Sequence, residues 1–177
     1  MVFTDDTSLS LQAAVALVNS AEPPDTLTGM AELDAFYDGF SYTGRRDRTA
    51  AELDEVRALR PRLRELLLAG RDDAAAMANR ILAEAGAVPQ LIRHDEFDWH
   101  IHAVALEVPL ATRIAVETAM AMVDAIREDE TSRFAVCADG ECEALVLDLS
   151  RNRSKRFCSV ACGNRNAVAA YRARQRS

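Results

Sequence analysis

The sequence predicts a mainly α chain: a helical N-terminal domain with one β-hairpin, followed by a small hairpin-plus-helix module. Three observations predict it. Apolar residues recur at three- and four-residue spacing through most of residues 8–126. The period shifts toward two between 88 and 108, where β-branched and aromatic residues gather. All four cysteines fall after residue 136.

SLSLQAAVALVNS, residues 8–20, reads as a short apolar helix that PPDT ends. Thr28 is placed to cap a second helix, GMAELDAFYDGF, in which Leu33, Phe36, Tyr37 and Phe40 share one face. YTGRRDR follows as a loop, and its GRRDR, residues 44–48, reads as a solvated segment rather than a binding patch. Thr49 and Glu52 form a capping box at the start of a third helix. Leu53, Val56, Leu59, Leu63, Leu66 and Leu67 carry its apolar stripe, with Pro61 expected to kink or restart it.

Gly70 stops that helix, and Asp72 or Asp73 is placed to cap a fourth that runs through Met77, Ile81 and Leu82. VPQLIR and FDWHIHAVALEV, on either side of the polar HDE, predict a β-hairpin. Pro109 then opens a long helix with Leu110, Ile114, Val116, Met120, Val123 and Ile126, ending in REDETS.

The charge is divided along the chain. All 28 acidic residues precede Arg151, with 13 of the 21 basic ones, so residues 1–150 carry −15 (13 − 28) and residues 151–177 carry +8 (8 − 0). A basic end on an acidic body points to a polyanion partner or to an electrostatic dock between the two parts. The richest apolar segment, VPLATRIAVETAMAMV, is broken by Arg113 and Glu117, which excludes a membrane span there. The acidic N-terminus does not look like a secretory signal, so a cytoplasmic protein is expected.

In a reducing compartment, cysteines in two close pairs favour a metal over disulfides. Cys137-x4-Cys142 and Cys158-x3-Cys162 are separated by fifteen residues, and four thiolates complete a closed tetrahedral zinc site. Two disulfides and unliganded thiols are the alternatives. Between the pairs, ALVLDLS has strand composition and SRNRSKR that of a turn, so a short hairpin is expected under the metal. After Cys162, a helix from Asn164 would bring Arg165, Arg172 and Arg176 within about 40 degrees of one another, with Ala167, Val168 and Tyr171 packing on the hairpin. Arg151, Arg153, Lys155, Arg156, Arg165, Arg172 and Arg176 are the candidate nucleic-acid contacts.

CxxxxC, then LxLDxSRNxSxRxC, then CGNR, together resemble the CGNR zinc-finger family across Cys137 to Arg174. ALVNS, DTLTGMAELDAF, TAAELDEVRALRPRLRELL and ANRILAE are similar to the ABATE-type helical domain that precedes this finger. The resemblance implies an ABATE-type domain over residues 1–132 and a zinc finger over 133–177. It further implies a stress-linked transcription regulator, with zinc on Cys137, Cys142, Cys158 and Cys162 and a family signature that includes Arg151, Asn152, Arg156, Asn164 and Arg165. The chain departs from the family in having Glu143 after the second cysteine and Ala167 and Ala170 in the last helix, which thins the phosphate contacts available to one copy.

The expected partners are therefore DNA, a small-molecule effector sensed by the helical domain, and a second copy of the chain. A zinc-stabilised protein-interaction module, or a small-ligand-binding protein, without DNA binding is the alternative. His100 and His102 would share one strand face, with His94 or Asp98 as helpers to a metal; the plainer reading is polar residues on the outer face of a half-exposed strand. Asp5-Asp6 and Asp72-Asp73 read as helix-end carboxylates. With no phosphate loop, no nucleophile elbow and no HExxH, and with the thiolates committed to one ion, no enzymatic activity is expected.

Overall fold

The computed structural model describes residues 3–93 and 99–176. Six helices and two antiparallel hairpins follow in the order α1 (Asp5–Asn19), α2 (Met30–Gly39), α3 (Ala50–Leu68), α4 (Arg71–Glu84), β1 (Gln90–Ile92), β2 (His100–His102), α5 (Leu110–Arg127), β3 (Phe134–Val136), β4 (Leu145–Leu147) and α6 (Val160–Arg176). A 3-10 turn, Thr131–Arg133, leads into β3. None of the described helices is long and apolar enough to cross a membrane.

The helical body is organised around α5, which packs on α1, α3 and α4. Leu110, Ile114, Ala115, Ala119, Met122 and Ala125 line the inner side of α5 and share one buried core with Leu11, Leu17, Leu63, Leu66 and Ala78. At roughly 25 cal/mol for each Å² of apolar surface removed from water, a fully buried leucine contributes about 2 kcal/mol, and this set dominates the stability of the body.

Several helix ends differ from the sequence expectation. α1 begins at Asp5, three residues before the expected start. Thr28 does not cap α2: Gly29 is the N-cap and makes no side-chain bond, while the Thr28 hydroxyl reaches the Glu32 carboxylate at 3.4 Å. Gly70 is the N-cap of α4, so Asp72 and Asp73 occupy its first turn, where they complement the helix dipole. Pro61 neither ends nor restarts α3, which runs continuously across it.

At the start of α3 the Glu52 N–H donates to Thr49 Oγ1 at 3.2 Å, as a capping box requires. The buried Glu52 carboxylate reaches further back than the box predicts, accepting from the backbone N–H groups of Asp47 and Arg48, both at 3.0 Å. Gly44, Arg45, Asp47 and Arg48 are exposed, as a solvated segment predicts, but the middle of the loop is tied down. The Arg46 side chain is mostly covered, pairs with Asp34 at 2.6 Å and Glu52 at 3.2 Å, and lies over the Tyr37 ring.

Gly44 is the position in this loop that requires its residue type. Its φ is +89°, and a Cβ there would meet the Leu106 carbonyl oxygen at 2.5 Å. Gly44→Ala is expected to lower unfolding free energy by at least about 2 kcal/mol in a urea titration followed by circular dichroism. Gly39→Ala, where an added Cβ meets nothing within 4 Å, is the control expected to be neutral.

The hairpin β1–β2 forms as the sequence predicts, with Leu91 opposite Ile101 and Gln90 opposite His102. Its polarity is the reverse of the expectation. Leu91, Trp99 and Ile101 face solvent, with Arg93 over the Trp99 ring, whereas His100 and His102 take the more buried face.

Candidate metal centre and basic module

The second hairpin is not the one the cysteine spacing suggests. β4 pairs with β3, which precedes Cys137, in the register Phe134 to Leu147, Ala135 to Val146 and Val136 to Leu145. The strand period then divides β4 between two cores. Leu145 and Leu147 enter the core of the helical body with Phe134, while Val146 packs under the cysteines with Phe157.

Asn19, the last residue of α1, fixes this junction. Its Nδ2 donates to the Leu145 carbonyl at 2.9 Å, and its Oδ1 accepts the Leu145 N–H at 2.6 Å. The side-chain amide thus satisfies both backbone groups of one strand residue, as a neighbouring strand would.

The four thiols lie within 4.8 Å of one another, with Sγ to Sγ distances of 3.6 Å for Cys142–Cys158 and for Cys158–Cys162. None of the four is in a disulfide. With zinc–sulfur bonds of about 2.3 Å, a tetrahedron has an edge of about 3.8 Å, so these separations fit a single ion. Among the described residues this is the one group of three or more candidate ligands.

The electrostatics of the cluster agree. Burial, with the neighbouring thiols next, pushes the Cys158 thiol up to about 12. Burial also raises Cys137, but the backbone N–H groups of Cys158 and Asp139 outweigh it and bring that thiol below its ordinary value. Four thiols this close resist joint ionisation, and a bound dication removes that resistance.

The turn before Cys158 is built by Asp148. Its carboxylate accepts the N–H of Ser150 at 2.8 Å and of Lys155 at 2.7 Å, which closes residues 148–155 into a loop. Arg133 secures the same loop from the body, donating to the carbonyls of Asp148 at 2.8 Å and Ser150 at 3.1 Å.

The seven candidate nucleic-acid residues separate into groups. Arg151, Arg153, Lys155, Arg156, Arg165 and Arg172 are all exposed, with Arg156 over the Phe157 ring, and Arg176 is the last residue of α6; what divides them is whether the charged group already has a partner. Arg153 is turned toward the body, pairing with Glu130 at 2.7 Å, and Lys155 Nζ donates to the Leu147 carbonyl at 3.3 Å. Arg165 is held by Asp139 and Cys162. Val168 and Tyr171 do not pack on the hairpin as expected; both are exposed, so α6 stands out from the metal centre with its apolar face uncovered.

His100 and His102 approach each other, Nε2 to Nε2, at 2.9 Å. Their proposed helpers His94 and Asp98 lie outside the described residues. Asp5 and Asp6 sit in the first turn of α1.

A model of the family described as "Putative stress-induced transcription regulator", ABATE, matches residues 11–129, more than half of the chain. The chain belongs to the ABATE family. A model of the CGNR zinc finger matches residues 133–175 of this ABATE protein, from the last residue of the 3-10 turn to near the end of α6. No curated protein matches it. The two matched segments leave residues 130–132 between them, where Glu130 pairs with both Arg133 and Arg153.

Sequence reasoning missed three contributors to this site. Asn19 and the strand Phe134–Val136 have no local signal, since each acts through a partner at least nine residues away. Asp139 reads as one more loop acid, and only its pairing with Arg165 gives it a role.

Proposed function

We propose that the protein is a DNA-binding transcription regulator whose C-terminal module, held by one zinc ion on Cys137, Cys142, Cys158 and Cys162, meets phosphates with α6 and the preceding turn. The observation that carries this reading is the exposure of α6 along most of its length, with Arg172 on its surface and Arg151 and Arg156 on the turn beside it. A closed four-thiolate site stiffens a segment too small for its own core and offers no open coordination position, so the protein is read as non-enzymatic. The helical body is the sensing or dimerising part in this proposal.

The second reading, a basic module docked on the acidic body of its own chain, is favoured by one specific feature. The β3–β4 hairpin packs on α1 and α3, and Arg153 pairs with Glu130. The two readings divide the module between them: its hairpin belongs to the body, and its helix is left for a partner.

The test is binding of the full-length zinc-loaded protein to duplex DNA at several salt concentrations. Binding at low salt is expected, and each of Arg151→Gln, Arg156→Gln and Arg172→Gln should reduce the slope of log K against log salt by about 0.9. Failure to bind random or genomic DNA at low salt would end the DNA reading.

A further inference from the structure

Arg165, which the sequence places among the phosphate contacts, keeps about half of its side chain exposed (53%), but its guanidinium is engaged at the metal centre. Its Nη2 donates to the Cys162 sulfur at 3.0 Å, and its Nε and Nη2 lie 2.8 and 2.5 Å from Asp139 Oδ2. Asp139 is itself fixed: it is 6% exposed, its Oδ1 accepts the Glu141 N–H at 3.4 Å and its carbonyl accepts the Cys142 N–H at 2.9 Å.

The two residues come from opposite halves of the metal centre. Asp139 lies between Cys137 and Cys142; Arg165 lies one helical turn beyond Cys162. Their pair therefore closes the cluster from outside, in addition to any ion the thiolates share.

We propose that Arg165, oriented by Asp139, is a positioning residue of the metal centre rather than a phosphate contact. A charge-assisted hydrogen bond to the Cys162 thiolate offsets part of the net −2 of four thiolates on a dication, and it resists displacement of that sulfur from the ion. Because Arg165 is on α6 and Asp139 on the loop, the same pair fixes the direction in which α6 leaves the centre. A lysine would supply the charge without the fork that serves sulfur and carboxylate together.

This inference rests on the zinc reading, and its test separates the two. Full-length protein is loaded with zinc, and transfer of the metal to a chromophoric chelator is timed for the parent, Arg165→Met, Arg165→Lys, Asp139→Asn and Arg172→Met. Arg165→Met is expected to lose zinc at least about tenfold faster, Asp139→Asn and Arg165→Lys to change in the same direction by less, and Arg172→Met to match the parent. Cobalt substitution gives a second readout: the sulfur-to-metal charge-transfer band should move in Arg165→Lys while the tetrahedral ligand set stays intact. Equal zinc retention and an unmoved band in the Arg165 variants would overturn the proposal alone. A parent that holds no zinc would overturn the metal reading and this proposal with it.

Discussion

Deleting residues 134–177 is expected to unfold a large part of the helical body rather than release an independent finger. Phe134, Leu145 and Leu147 are buried in the same core as the helices. Withdrawing three such side chains, at about 1.5–3 kcal/mol each, costs on the order of 6 kcal/mol, comparable to the whole stability of a typical domain. Asn19 would also lose both partners on Leu145. Thermal unfolding of the 1–133 fragment and the full chain makes the comparison, and coinciding transitions would refute the shared core. Since a fragment can also aggregate, the full-length variants Leu145→Ala and Leu147→Ala are the cleaner pair. Each should lose about 2–5 kcal/mol, transmitted to the helices as one cooperative transition.

This shared core shows where the sequence is legible and where it stops being so. The helices were readable because their contacts repeat at helical spacing, as Leu110, Ile114 and Met122 do in α5. The metal ligands were readable because two short spacings and their separation are local properties of the chain. The strand Phe134–Val136 was not, since three residues are too few to show an alternation, and its partner lies across the cysteine loop.

Faces posed a different difficulty. Period two says that Leu91 and Ile101 share a side opposite His100 and His102, but not which side meets the body, and the structure places the apolar side outward. In the same way the spacing of Val168 and Tyr171 says that they share a face of α6 without saying whether anything covers it. Charge is legible only as a total until partners are known. Of the basic residues counted toward nucleic acid, Arg153 and Arg165 already have carboxylates, so the surface available to phosphates is smaller than the +8 of residues 151–177 implies.

The other large effect is expected at Arg113, which breaks the apolar pattern of α5 yet is 1% exposed. Its guanidinium donates to the carbonyls of Val108, at 3.2 Å, and Arg45, tying the loop after α2 to the segment before α5. Arg113→Met keeps most of the volume but leaves two carbonyls without their donor, for an expected loss of about 3 kcal/mol. The substitution also removes the positive charge that faces Glu117, whose carboxyl burial raises to about 7 while Arg113 opposes the rise. Tyr42, which its own burial holds well above its ordinary value, also faces this carboxylate. A carboxyl with a raised folded-state pKa binds more protons folded than unfolded, so its contribution to stability falls as pH climbs from its ordinary value of 4.5 to about 7. Without Arg113 the folded pKa rises further. The difference in urea midpoint between parent and Arg113→Met should therefore be larger at pH about 8.5 than at pH about 5.5, and Glu117→Gln in the same background should abolish that widening. An Arg113→Met protein with the parent's midpoint at both pH values would show that the buried guanidinium holds neither the loop nor the carboxylate.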